Sequence, residues 1–249
     1  MEPIDEIPNE ILLMILSKIH MDMKILLVCK RWKENIISTY LYEYFKLGIH
    51  KFIKGKHEDA YANFCTTLKA KQDKNIVWHP NKISRLYNFI ANCEHKFNNI
   101  AQAIINLDIA LSFNPNCVVA LNNKGDNLNT LKKYEEAIQY FDRVLAIQPK
   151  RLSSLYNKGR SYLYLMKFDE AKKCFEEALK HHDDIDTECE LACAELHLGN
   201  YARTIELCNH ILEIDFDIIA YRLEYRAIHH KNKKCTCGRF SCCQEKQDN

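Results

Sequence analysis

Residues 118–151 read VVALNNKGDNLNTLKKYEEAIQYFDRVLAIQPKR, and residues 152–185 read LSSLYNKGRSYLYLMKFDEAKKCFEEALKHHDDI. Laid over each other they match. Leu121 falls on Leu155, Lys124-Gly125 on Lys158-Gly159, Tyr134 on Phe168, Ala137 on Ala171, Phe141 on Phe175 and Leu145 on Leu179. Gly or Ala at the eighth place and Ala at the twentieth remove bulk where two helices cross, so their backbones can approach closely. Aromatic residues at the seventeenth place and Phe, Leu or Cys at the twenty-fourth fill the space around that crossing. Pro115 and Pro149 end the second helix, since proline breaks the hydrogen-bond ladder and restricts the residue before it.

The register extends both ways. Residues 84–117 keep Tyr87, Ala91, Ala103, Leu107, Ala110 and Pro115, and residues 185–218 keep Ala192, Gly199-Asn200-Tyr201, Ile205, Cys208 and Ile214. A weaker unit covers 41–74, with Tyr44, Leu47-Gly48, Gly55, Ala60 and Phe64, and a last half-unit begins near Ala220. These residues resemble the tetratricopeptide repeat, a pair of antiparallel helices per unit. One unit cannot bury its own apolar face, whereas a stack can. The expected fold is all-α, with a tetratricopeptide-type α-solenoid of helix-turn-helix repeats over 41–230. Two departures stand out. NIVWHPNKI at 75–83 is inserted between the first two units, and Thr204 and Phe216 replace the expected Ala and Pro in the fourth full unit, which should be looser for it.

Ahead of the repeats lies IPNEILLMILSKIHMDMKILLVCKRW at 7–32. Pro8 suits a first helical turn, and Glu10 places negative charge near a helix N-terminus. Ile11, Leu12, Ile15, Leu16 and Ile19 recur at helical spacing, and Ile25, Leu26, Val28, Cys29 and Trp32 make a second stripe. So few residues cannot bury that much apolar surface internally. The segment resembles the F-box: Ile7-Pro8, Glu10-Ile11-Leu12, Ile15-Leu16, Ile19 and Val28-Cys29-Lys30-Arg31-Trp32 are the matching pieces, over residues 1–40. The resemblance implies docking to the Skp-type adaptor of a cullin-RING ubiquitin ligase through Ile7, Pro8, Ile11, Leu12, Ile15, Leu16, Val28 and Trp32. The alternative is a scaffold or co-chaperone whose opening helices only cap the solenoid.

In the repeat family, ligand peptides lie against the first helix of each unit. Carried onto this chain, the groove positions are Asn88, Asn92, Asn122, Asp126, Asn129, Tyr156, Arg160 and Tyr164. Amides there can pair with a peptide backbone, and Arg160 with a carboxylate. The carboxylate clamp of chaperone-binding members is incomplete, because Asn88, Ser153 and Asn157 stand where basic or clamp residues are expected. The implied partners are therefore the adaptor and a target protein or peptide, in the cytoplasm or nucleus of a eukaryotic cell, a host cell included.

Composition excludes other classes. Of 249 residues 47% are apolar, six are Gly and five Pro, and the formal charge is +2 with signs mixed. That is no footprint for nucleic acid. The acidic opening MEPIDEIPNE lacks a secretion signal, and no run of roughly 18 apolar residues predicts a membrane span. Twelve cysteines, mostly inside helical patterns, fit a reduced compartment better than a disulfide framework. Cys189, Cys193 and His197 share a helix face, and Cys235, Cys237, Cys242 and Cys243 crowd the tail at 231–249, which is expected to be flexible. Small core residues and exposed thiols explain them better than a metal. No cofactor or metal and no catalytic residue is expected, since no phosphate loop, HExxH or nucleophile elbow occurs.

Overall fold

A computed structural model describes residues 30–73, 76–214 and 218–232, with side chains over 37–73, 76–214 and 219–228. Among these residues lie eleven helices and no strand. They are α1 Lys30–Ile53, α2 His57–Asp73, α3 Pro80–Lys96, α4 Ile100–Phe113, α5 Val118–Thr130, α6 Tyr134–Ile147, α7 Leu152–Tyr164, α8 Phe168–Leu179, α9 Ile185–His197, α10 Tyr201–Ile214 and α11 Ile218–Asn232. The all-α repeat fold stands as expected. The chain divides into two compact units, one ending at Leu131 and the other beginning at Lys132.

In the first unit α1 packs on α2 and α3 on α4, and the odd-numbered helices touch one another in turn. The second unit repeats this with α7 on α8 and α9 on α10, and α11 closes against α9 and α10. Proline does what the spacing predicts: α4 ends two residues before Pro115 and α6 two before Pro149.

The eighth and twenty-fourth places are matched in size within each unit. A Cβ on Gly48 would lie 2.5 Å from the Phe64 ring, and one on Gly159 would lie 2.5 Å from the Phe175 ring. Both rings are fully buried. Where the eighth place holds Ala91 or Ala192, the twenty-fourth holds the smaller Leu107 or Cys208, and all four are fully buried. The close approach is thus met by taking volume from one helix or the other. Thr204, at the place expected for Ala, is also fully buried, with its hydroxyl donating to the Asn200 carbonyl at 3.2 Å.

The fifteenth place of every full unit turns left-handed: Gly55 (φ 76°), Asn98 (62°), Lys132 (60°), Met166 (57°) and Gly199 (79°). Around it the two bonds of a Schellman turn recur. Met166 N donates to Leu163 O at 2.9 Å and Lys167 N to Tyr162 O at 2.9 Å, as Gly199 and Asn200 do to Leu196 and Glu195. A β-carbon costs about 1–2 kcal/mol there, and glycine's extra unfolded-chain entropy returns about 0.5–1 kcal/mol of that. Met166 is 65% exposed, so its side chain contributes little burial. Met166→Gly should therefore raise stability by about 0.5 kcal/mol, read as an upward shift of the second unit's denaturation midpoint. A lower midpoint would refute the strain.

The domain boundary expected at 40/41 falls inside α1, because nothing between Lys30 and Leu47 interrupts a helix: no Gly or Pro occurs there. The inserted stretch enters the core at residues 76 and 78. Ile76 (7% exposed) and Trp78 (4%) are buried in the first unit's core while Val77 stands at 92%. Trp78 meets Tyr42 edge-on at 6.3 Å, lies 6.3 Å from the Phe45 ring, and donates its indole N–H to Ser38 Oγ at 3.2 Å. His79 then caps α3, its Nδ1 accepting from Asn81 N at 3.3 Å, and Pro80 opens the helix.

Candidate partner-binding face

The site residues expected on the repeats sit on α3, α5 and α7. In the first unit, places five and nine of α3 are bridged by the sixth place of α5. Asn123 Nδ2 donates to Asn88 Oδ1 and to Asn92 Oδ1, each at 2.9 Å. One turn on, His95 Nδ1 and Asn127 Oδ1 are 2.9 Å apart, and Asn127 Nδ2 donates to the Asn123 carbonyl at 2.7 Å. Asn88 is only 5% exposed, so it differs from the open groove position expected: its amide holds two repeats together. Asn92, Asn122, Asp126 and Asn129 are half-buried, and Asn122 and Asn129 are both engaged.

The second unit uses the same geometry with other chemistry. Glu190, at the sixth place of α9, lies 3.3 Å from Arg160 Nε on α7. Arg160 is flanked by Tyr156 and Tyr164, with its guanidinium carbon 5.7 and 5.8 Å from their ring centres, and Nη2 donates to the Tyr164 hydroxyl at 3.1 Å. Tyr164, 55% exposed, stacks on Tyr134 at 4.8 Å. Arg160 is thus already met by a carboxylate of its own chain. Burial raises the Glu190 carboxyl above its ordinary value. Burial, with Glu190 next, pushes the Tyr156 phenol up to about 12. Beside Tyr156 a cleft of about 320 Å³ opens, edged by Ser153, Asp184 and Asp186. It has room for a side chain of a bound segment.

Neighbouring repeats are also joined across their outer edges. Lys124 pairs with Asp108, and Lys158 with Asp142 at 2.6 Å. Buried Glu94 accepts from Tyr61 (2.7 Å) and Asn99 (2.9 Å), and buried Glu195 from Asn200 (2.6 Å) and Lys172 (2.9 Å). The hydrogen bond to Glu94, then burial, raises the Tyr61 phenol. These groups lock repeat to repeat and have a structural role.

Sequence reasoning missed Asn123, Asn127 and Glu190. Their places are not among the ligand positions carried over, and each is defined by the neighbouring helix. Cys189, Cys193 and His197 do lie along α9, but burial pushes the Cys193 thiol up to about 11 and His197 stacks on Phe168 at 4.5 Å. No group of three or more His, Cys, Asp and Glu among the described residues is placed to hold a metal ion. Burial, and then Arg226, hold His197 below its ordinary pKa. The unfolded chain therefore takes up the proton first, and stability present above about pH 6.5 is lost as pH falls toward the folded value. His197→Phe keeps a ring for the stack and cannot titrate. Wild type should lose more melting temperature than this variant between about pH 7.5 and about pH 5.5. Equal losses would clear His197 of any part.

The docking positions Ile7, Pro8, Ile11, Leu12, Ile15, Leu16 and Val28 lie outside the described residues, as do the tail cysteines and Phe216. Trp32 is in the first turn of α1. Among the described residues no helix is long and apolar enough to cross a membrane.

Comparison with known proteins agrees with the residue pattern. The F-box-like family matches residues 4–47, and tetratricopeptide-repeat families match 116–184 and 156–215. Similar solved structures include pilF of Pseudomonas aeruginosa, at 20% identity over 78% of this chain and 85% of that one, with a TM-score of 0.66. A tetratricopeptide repeat protein from Parabacteroides merdae ATCC 43184 gives 19% identity over 77% and 73%, TM-score 0.64. MamA from Desulfovibrio magneticus RS-1 gives 16% over 70% and 93%, TM-score 0.60. At these identities the likeness is one of fold. No curated protein matches the chain significantly. The chain is therefore an F-box-type protein with tetratricopeptide repeats, and both of its modules are protein-interaction modules.

Proposed function

We propose that this chain is a substrate receptor of an SCF-type cullin-RING ubiquitin ligase. The observation that carries the reading is the order of the modules: an F-box-like segment at 4–47 directly ahead of repeats. Ile7, Pro8, Ile11, Leu12, Ile15, Leu16, Val28 and Trp32 dock the Skp-type adaptor. The odd-numbered helices hold the target, with Asn92, Asn122, Asp126 and Asn129 in one unit and Tyr156, Arg160 and Tyr164 in the other. The chain performs no chemistry. It raises the effective concentration of a target lysine near a ubiquitin-loaded enzyme held elsewhere in the complex. Its site of action is the cytoplasm or nucleus of a eukaryotic cell.

Pull-down of the adaptor tests this. Pro8→Ala/Leu12→Ala/Leu16→Ala should cut recovery about a hundredfold, as loss of interface anchors does. Equal recovery from wild type and variant would remove the ligase reading. One observation favours the second reading, a repeat scaffold capped at its N-terminus: Ile37, Leu41 and Phe45, inside the F-box-like match, are buried in the first repeat.

A further inference from the structure

The F-box-like match and the first repeat overlap. The match runs to residue 47, while α1 runs unbroken from Lys30 to Ile53. Residues 30–47 therefore belong to both the match and α1. Ile37, Leu41 and Phe45 are at most 8% exposed. Phe45 packs edge-on against Phe64 of α2 at 5.7 Å and Phe89 of α3 at 5.9 Å. Tyr42 and Ser38, on the same stretch, hold Trp78. Helix formation is cooperative, so packing of residues 37–47 in the core of the repeat supports the turns that precede them.

We infer that Phe45, Phe64 and Trp78 are positioning residues for adaptor docking, because the helix that ends the F-box-like segment is held in place by the core of the first repeat. Docking competence and the folding of that repeat are then one cooperative event. No Gly or Pro lies between Lys30 and Leu47, so α1 runs unbroken from the F-box-like match into the first repeat. The inference rests on the proposed docking role for its consequence, while its physical content is independent of it.

The test uses the full chain with Phe64→Leu, a residue outside the F-box-like match. Phe175→Leu, the equivalent core change in the second unit, is the control. Hydrogen exchange is measured in the absence of any partner. Phe64→Leu should speed exchange of the α1 amides before Ile37 about tenfold, together with those of 41–52, and Phe175→Leu should leave both unchanged. Unchanged exchange before Ile37 in Phe64→Leu, or equal acceleration by both variants, overturns the inference. Adaptor affinity is the second readout. Phe64→Leu should weaken it about tenfold and Phe175→Leu should not, and equal affinities for the two would also overturn it. Wild type that binds no adaptor, but shows the exchange pattern, defeats the ligase reading and leaves the coupling standing.

Discussion

Trp78→Ala should destabilise the first unit by about 3–5 kcal/mol, the usual range for emptying a buried aromatic site. The ring is 4% exposed, lies against Tyr42 and Phe45, and ties its N–H to Ser38. Domains of this size hold about 5–15 kcal/mol in total, so such a loss should separate the denaturation of the two units. The neighbouring Val77 is 92% exposed, and Val77→Ala should stay within about 0.5 kcal/mol. Trp78→Phe should fall between, losing the hydrogen bond to Ser38 but filling much of the site. Chemical denaturation with fluorescence and hydrogen exchange reads all three. Trp78→Ala with an unchanged midpoint would show that the inserted segment is an ornament on the repeat and not part of its core.

Gly159→Ala should cost about 1–2 kcal/mol. A new Cβ meets the Phe175 ring at 2.5 Å, which calls for about 1–3 kcal/mol of overpacking, and alanine's helix propensity returns up to about 1 kcal/mol. Phe175→Leu alone opens a cavity and should cost about 1–2 kcal/mol. Together the two should cost less than their sum, because small-over-Leu is the combination the chain uses at Ala91 and Leu107. A coupling of about 1 kcal/mol is expected from the double-mutant cycle. Strict additivity would mean that the two positions do not share the space the structure gives them.

The period of the repeats was legible because it is written in residue size. A small residue at place eight, another at place twenty and Phe, Leu or Cys at place twenty-four are local signs of a helix crossing. Pro115 and Pro149 supplied the helix ends. The left-handed turns were legible only in part. Gly55 and Gly199 announce them, whereas Met166 and Lys132 are ordinary residues forced into the same backbone by the helices on either side. Trp78 was hidden by the periodicity, since residues outside the register looked like an interruption. The boundary expected at residue 40 falls within α1. Between Lys30 and Leu47 the chain carries no breaker, so the helix continues.

The candidate face was legible as a surface but not as a set of bonds. Asn92, Asn122, Asp126 and Tyr164 lie where the repeat register puts them. Asn88 and Asn92 are both held by Asn123, and Arg160 by Glu190. That engagement depends on the next odd-numbered helix, whose sixth place reaches back between places five and nine. No single repeat contains the information. The same geometry bonds amides in one unit and a carboxylate with an arginine in the other. The two units therefore offer a partner different chemistry: amide groups in the first, and tyrosine faces with a partly open cleft beside Tyr156 in the second.

Titrating purified Skp-type adaptor into the full chain by calorimetry is the most direct test of the central claim. Saturable one-to-one binding at about micromolar affinity or tighter is expected, lost in Pro8→Ala/Leu12→Ala/Leu16→Ala. The absence of binding heat from a folded wild-type chain, or binding that the triple substitution leaves intact, would contradict it.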